Sequence, residues 1–157
     1  MRTLNRLAGI VFGLMIFSLF LTSCSRGFKT DFMTGLKMTY SGLSVEDCYL
    51  TIDESKHSSN QIPLGKEVVL ILENVTGFQM KDGIYTIGFE TTVTDPDGNY
   101  LLNYTNTLTE TEVSMLRSLL TVGEPMVTGK TYQWTSTFTD RNGEGVVKAI
   151  LDIEVTE

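Results

Sequence analysis

The chain has 157 residues, with 12 Lys and Arg against 19 Asp and Glu and a formal net charge of −7. That balance disfavours DNA, RNA and anionic lipid headgroups as partners, since all three need a positive surface. One His and two Cys are little material for a zinc centre or a Ser-His-acid site, which draw several such groups together.

The chain opens MRTLNRLAGIVFGLMIFSLFLTSC. Arg2 and Arg6 precede an almost wholly apolar run, Leu7 to Leu21, and no acidic residue appears before Asp31. A basic start followed by a short apolar core is the pattern of a secretory leader, and this core is shorter than the roughly 20 residues of a spanning helix. The run ends at Leu21-Thr22-Ser23-Cys24. This tetrapeptide resembles the lipobox of bacterial lipoproteins: an aliphatic residue, a small residue, then Gly, Ala or Ser, then Cys. The resemblance implies cleavage before Cys24, transfer of diacylglycerol to its thiol and acylation of the new amine. It therefore implies a membrane partner through the anchor, held durably because more than one acyl chain contributes. Ser25 stands where inner-membrane lipoproteins of enterobacteria often carry Asp. The implied address is the cell envelope, at the outer membrane of a two-membrane cell, facing periplasm or exterior.

Residues 1–23 are thus read as a leader, 24–35 as a lipid-anchored tether and 36–157 as one folded domain. Loss of the two leader Arg moves the formal charge from −7 to −9. Leu36–Tyr40 and Asp47–Ile52 are the first predicted strands. On the second, Glu46, Cys48, Leu50 and Ile52 share a face that looks inward. With Cys24 assigned to the anchor, Cys48 has no internal partner and reads as a small buried hydrophobe. The polar stretch 53–61 reads as a loop, and His57 within it as a solvated loop residue. Lys66–Val75 is short, rich in Val and Ile and bounded by turn residues, which predicts a buried strand.

Ile84–Val93 alternates. Tyr85, Ile87, Phe89, Thr91 and Val93 point one way; Thr86, Gly88, Glu90 and Thr92 point to a wetter side. Asp95-Pro96-Asp97-Gly98-Asn99 predicts a tight turn, with Tyr100–Tyr104 returning as the hairpin partner. Thr109-Glu110-Thr111-Glu112 reads as a capping box, and Val113, Leu116, Leu119 and Leu120 follow at helical spacing. Together they predict a short helix from about residue 110 to 120. Gly129–Thr139 alternates again, with Tyr132, Trp134, Ser136 and Phe138 on one side. A last strand sets Val147, Ala149, Leu151, Ile153 and Val155 against Lys148, Asp152 and Glu154.

About seven strands and one crossover helix predict an all-β, Ig-like two-sheet β-sandwich, with a small β-barrel as the alternative. In composition and strand rhythm the domain resembles small β-sandwich envelope lipoproteins of the Bacteroidetes. No phosphate loop, nucleophile elbow or other catalytic motif appears, so no catalytic, cofactor or metal residue is assigned. Calcium is weighed at two acidic turns, Asp95-Asp97-Asn99 and Asp140-Asn142-Glu144, but neither carries the full twelve-residue calcium loop. The expected function is a non-enzymatic envelope lipoprotein that recognises, adheres to or assembles with a protein or glycan. The alternative is a small carbohydrate-binding or calcium-dependent binding module. Trp134 discriminates between the two: buried favours the first, exposed the second. Tyr49, Tyr100, Tyr104 and the loop Phe78-Gln79-Met80 are further contact candidates.

Overall fold

The computed structural model describes residues 26–157. The leader and Cys24 lie outside the described residues. Twelve strands build two sheets: β1 (Arg26–Thr30), β2 (Lys37–Ser41), β3 (Asp47–Ile52), β4 (Ser55–His57), β5 (Gln61–Pro63), β6 (Glu67–Glu73), β7 (Met80–Lys81), β8 (Ile84–Thr94), β9 (Tyr100–Glu110), β10 (Met115–Thr121), β11 (Thr131–Asp140) and β12 (Val146–Thr156). The larger sheet has eight strands along the path β1-β2-β12-β11-β8-β7, with β9 also pairing β8 and β5 pairing β12. The smaller runs β10-β6-β3-β4. All pairings are antiparallel except β5 with β12.

The architecture is therefore an all-β two-sheet sandwich, not a closed barrel. The strands beyond the expected seven are mostly short ones. β4, β5 and β7 have two or three residues each, too few to show a period. They form because a long neighbour offers an open edge. β1 likewise falls within the stretch read as a tether, where it pairs residue for residue with β2.

The crossover helix is a correction: no helix occurs among the described residues. Thr109 and Glu110 end β9, and residues 115–121 form β10, paired along its length with β6. Leu116 and Leu120 are four apart, a spacing that fits a helical face and a strand face equally. The residues between them separate the two cases. Ser118 is 1% exposed and Leu119 is 50% exposed, which is a period of two. The open edge of β6 supplies cross-strand partners for all seven residues, and that pairing outweighs the local helical signal.

Alternation carries the core as the sequence predicts. Tyr132, Trp134, Ser136 and Phe138 of β11 point inward and are buried, as are Val147, Ala149, Leu151, Ile153 and Val155 of β12. Two apolar clusters fill the gap between sheets. One gathers around Trp134, Leu50, Leu70 and Leu151. The other gathers around Phe138, Met38, Leu72 and Ile87. At the β8–β11–β10 side a hydroxyl layer stands in register between them. Ser136 pairs with Thr91 across β11 and β8, and the Ser118 hydroxyl meets that of Ser136 at 2.7 Å.

Candidate functional site

The opposite face of the eight-stranded sheet is polar. Thr92 and Thr94 on β8, and Gln133, Thr135 and Thr137 on β11, line a groove of about 270 Å³, with Glu90, Lys148 and Tyr100 at its margins. Strand pairing sets this arrangement. Thr92 lies beside Thr135 and Thr94 beside Gln133. Thr137 sits between Glu90 on one neighbouring strand and Lys148 on the other. Two strand spacings, about 10 Å, separate the Glu90 and Lys148 backbones. The four Thr are half-buried and make no side-chain hydrogen bond among the described residues, and neither Glu90 nor Lys148 is in an ion pair there. Gln133 is held by Asp152, to whose Oδ1 its amide donates at 3.1 Å. The Tyr100 ring is 66% exposed. The groove thus offers hydroxyl, amide, carboxylate and ammonium groups to a ligand, beside an open aromatic face.

The outer face of the four-stranded sheet differs. A broad concavity of about 880 Å³ runs over Tyr49, Val69, Ile71, Arg117 and Leu119, rimmed by Asp47, Asp53, Glu67 and Glu73. Tyr49 is already engaged on two sides. Its hydroxyl donates to Glu73 Oε1 at 2.6 Å, and Lys56 Nζ lies 4.4 Å from its ring centroid. The hydrogen bond to Glu73 raises the Tyr49 hydroxyl above its ordinary pKa.

A third cavity, of about 400 Å³, opens between the β1–β2 edge and the β3–β4 edge, lined in part by Lys29, Asp31, Cys48 and His57. Cys48 faces inward from β3 and is half-buried against both clusters. Burial first, then the Asp47 charge, pushes its thiol up to about 12. A thiol so held stays protonated, which suits packing and not nucleophilic attack. His57 ends a strand instead of sitting in a loop, with Nε2 3.1 Å from the Gln61 carbonyl oxygen.

In each acidic turn one carboxylate, Asp95 or Asp140, is engaged by backbone N–H groups. Asp95 Oδ1 accepts from the N–H groups of Asp97 at 2.9 Å and Asn99 at 2.8 Å, while Asn99 Nδ2 donates to Oδ2 at 3.0 Å. The Asn99 side chain, then its backbone, holds the Asp95 carboxyl below its ordinary pKa. Asp140 is buried and accepts from Asn142 N at 3.0 Å and Gln79 N at 2.8 Å. Among the described residues no three His, Cys, Asp or Glu gather as a metal site would require.

Trp134 is 2% exposed, and its indole N–H donates to Thr91 Oγ1 at 2.9 Å. It is a core residue and offers no platform to a sugar. Tyr104 is 48% exposed and packs edge-on to Phe89. Phe78 leans on the core, and Met80 is exposed.

No protein-family model matches the chain, and no curated protein matches it. Solved structures do. The C-terminal domain of wzt superposes with a TM-score of 0.51 at 8% identity, over 87% of this chain and 80% of that one. An immunoglobulin-like protein from Pseudomonas aeruginosa gives 0.44 at 17% identity, over 72% of this chain and 95% of that one. A beta-glucuronidase of Bacteroides uniformis gives 0.45 at 12% identity, over 71% of this chain and 14% of that one. At 8% identity the likeness to the wzt domain is one of fold alone.

The groove is the feature that sequence reading missed as a site. Its signal was present in the outward parity of Thr92, Thr135 and Thr137. What brings those residues together is the pairing of β8 with β11 across 43 positions, Thr92 to Thr135.

Proposed function

We propose that this chain is a non-catalytic envelope protein, lipid-anchored at Cys24, whose sandwich binds a glycan in the hydroxyl-lined groove. One observation carries the reading: four Thr hydroxyls without side-chain partners converge on a single groove between Glu90 and Lys148. A sugar is a ring of hydroxyls with apolar C–H faces. Each Thr presents a hydroxyl beside a methyl, which answers both features. Tyr100 at the rim supplies a ring on which a pyranose face can stack. Trp134 is buried, the outcome that counts against a carbohydrate-binding module built on that residue, so the glycan reading rests on the groove and Tyr100 alone. The anchor rests on the lipobox resemblance of Leu21-Thr22-Ser23-Cys24.

Binding of the chain to an array of immobilised oligosaccharides tests the groove. The natural chain should retain a subset of glycans, and Tyr100→Ala and Glu90→Gln should each release them. Retention by both variants at the natural level would sink the proposal. Metabolic labelling with an acyl donor, compared with Cys24→Ala, tests the anchor; equal labelling of both chains would refute it.

A second reading, a protein partner on the four-stranded sheet, is favoured by one observation. Leu119 stands 50% exposed beside the half-buried Val69 and Ile71, an apolar strip within a charged rim. Leu119→Glu should abolish capture of such a partner while leaving glycan retention unchanged. A variant that still captures the partner would rule that face out.

A further inference from the structure

Sheet edges are where β proteins meet unwanted or wanted partners, and most of the outer strands here are guarded. β1 has five residues with Arg26 and Lys29. β4 has three with Lys56, β5 has three with Pro63, and β7 has two with Lys81. β10 has seven with Arg117. Short length, basic side chains and Pro are the usual devices that block strand addition.

β9 has none of them. It runs eleven residues, YLLNYTNTLTE, without Lys, Arg or Pro, and its one charge is Glu110 at the end. Among the described residues it pairs only with β8, so apart from Thr107 N–H, which donates to Asn106 Oδ1 at 2.8 Å, its other edge presents backbone N–H and C=O groups without a strand partner. The one irregularity, between Val93 and Thr94, sits at its first residues and leaves Leu102–Glu110 in regular register. Its inward side is also incompletely covered. Leu102 and Leu108 are half-buried, Tyr104 is 48% exposed and Asn106 is exposed.

We infer that β9 pairs antiparallel with β9 of a second copy of this chain, centred on Thr105. The sequence of the strand selects the occupant, because it is complementary to itself in that register. Thr105 faces Thr105 of the second copy, Tyr104 faces Asn106, Asn103 faces Thr107 and Leu102 faces Leu108. Both leucine pairs then meet apolar to apolar on the inward side. Glu110 falls opposite Tyr100, so no like charges meet. Moving the centre to residue 104 sets Leu102 against Asn106; moving it to 106 sets Leu102 against Glu110. A two-fold axis through the Thr105 pair generates a closed, isologous dimer. Because neighbouring antiparallel strands keep the same faces, the half-covered Leu102, Tyr104 and Leu108 of both copies come to lie side by side. A chain of formal charge −7 gains here a meeting surface almost free of charge.

Disulfide trapping in the full chain in its native membrane tests the register. Thr105→Cys places two thiols at the axis, within the about 4.4–6.8 Å Cα separation that a disulfide accepts. Asn103→Cys places them four residues out of step, about 13 Å apart. Mild oxidation should convert most of the Thr105→Cys chain to a disulfide dimer and leave the Asn103→Cys chain monomeric. Equal yields at the two sites, or no dimer at Thr105→Cys, would overturn the inference. Sedimentation of the detergent-solubilised full chain gives an independent reading. The natural chain should have the mass of a dimer and Thr105→Lys that of a monomer. A natural chain that stays monomeric at high concentration would equally overturn it.

Discussion

The hydroxyls of Ser118 and Ser136 meet at 2.7 Å across the gap between the two sheets. Ser118 belongs to β10 of the small sheet and Ser136 to β11 of the large one. Both are 1% exposed, so neither has water as a substitute. Ser136 also lies 3.4 Å from Thr91 Oγ1, which receives the Trp134 indole N–H. The sandwich is thereby fastened by a short polar chain as well as by apolar packing. Ser136→Ala leaves the Ser118 hydroxyl buried without this partner and is expected to cost about 1–3 kcal/mol. Adding Ser118→Ala should cost little more, because an unpaired group is worse than none. A urea-denaturation cycle over the four chains should show non-additivity of at least about 0.5 kcal/mol. Strict additivity would contradict the bond.

The strand identity of residues 115–121 makes a sharp contrast between adjacent leucines. Leu119 is 50% exposed and Leu120 is 4% exposed. Leu119→Lys should change stability by less than about 0.5 kcal/mol, as surface substitutions usually do. Leu120→Lys buries an unpaired charge and should cost more than about 3 kcal/mol. Thermal unfolding of the two variants decides this. Comparable losses at both positions would favour a helix in that segment.

The Cys48 thiol gives a pH signature. Its folded-state pKa of about 12 lies above the ordinary value of 9.0. The unfolded chain therefore releases this proton first as pH rises. The stability it contributes is complete below the unfolded value and is lost progressively as pH climbs towards the folded one. Stability measured from pH 8 upward should fall more steeply for the natural chain than for Cys48→Ala. In the same folded protein at pH 8, iodoacetamide should modify Cys48 far more slowly than after denaturation. Rapid labelling of the native thiol would refute the protonated, half-buried state.

Gly77 has a φ of +101°, and a Cβ there would meet the Gly42 carbonyl oxygen at 2.8 Å. The loop carrying Phe78 and Gln79 thus presses directly on the turn after β2. Gly77→Ala combines backbone strain with a steric clash against backbone and should destabilise by about 2 kcal/mol or more. Chemical denaturation measures it; a neutral substitution would mean that the two loops separate easily.

Long strands with clean alternation were legible from sequence, and local chemistry explains why. The inward side of β12 is apolar throughout and that of β11 carries Tyr132, Trp134 and Phe138, so parity groups these residues on one face, and the pairing of β11 between β8 and β12 turns that face inward. The Asp95 turn was legible too, because Pro96 and Gly98 fix its dihedrals. Non-local pairing was not legible. Leu116 and Leu120 satisfy two periods at once, and only the open edge of β6 chooses between them. β9 reads as stopping at Tyr104, because polar residues follow without clean alternation and the apparent capping box at Thr109 directs the next segment towards a helix. The groove needs the pairing of Thr92 with Thr135 and of Thr137 with Lys148, which no short window of sequence contains.

Thr135→Val with Thr137→Val asks whether the groove hydroxyls hold a glycan. This double substitution keeps the branched shape and the strand preference and removes only two hydroxyls. The measurement is the dissociation constant for whichever oligosaccharide the natural chain retains on the array, alongside the unfolding midpoint. Glycan binding by these hydroxyls requires affinity to fall about tenfold or more, as the loss of one or two hydrogen bonds implies, with the midpoint unchanged. An unchanged dissociation constant in the double variant, or a natural chain that retains no oligosaccharide, would contradict it.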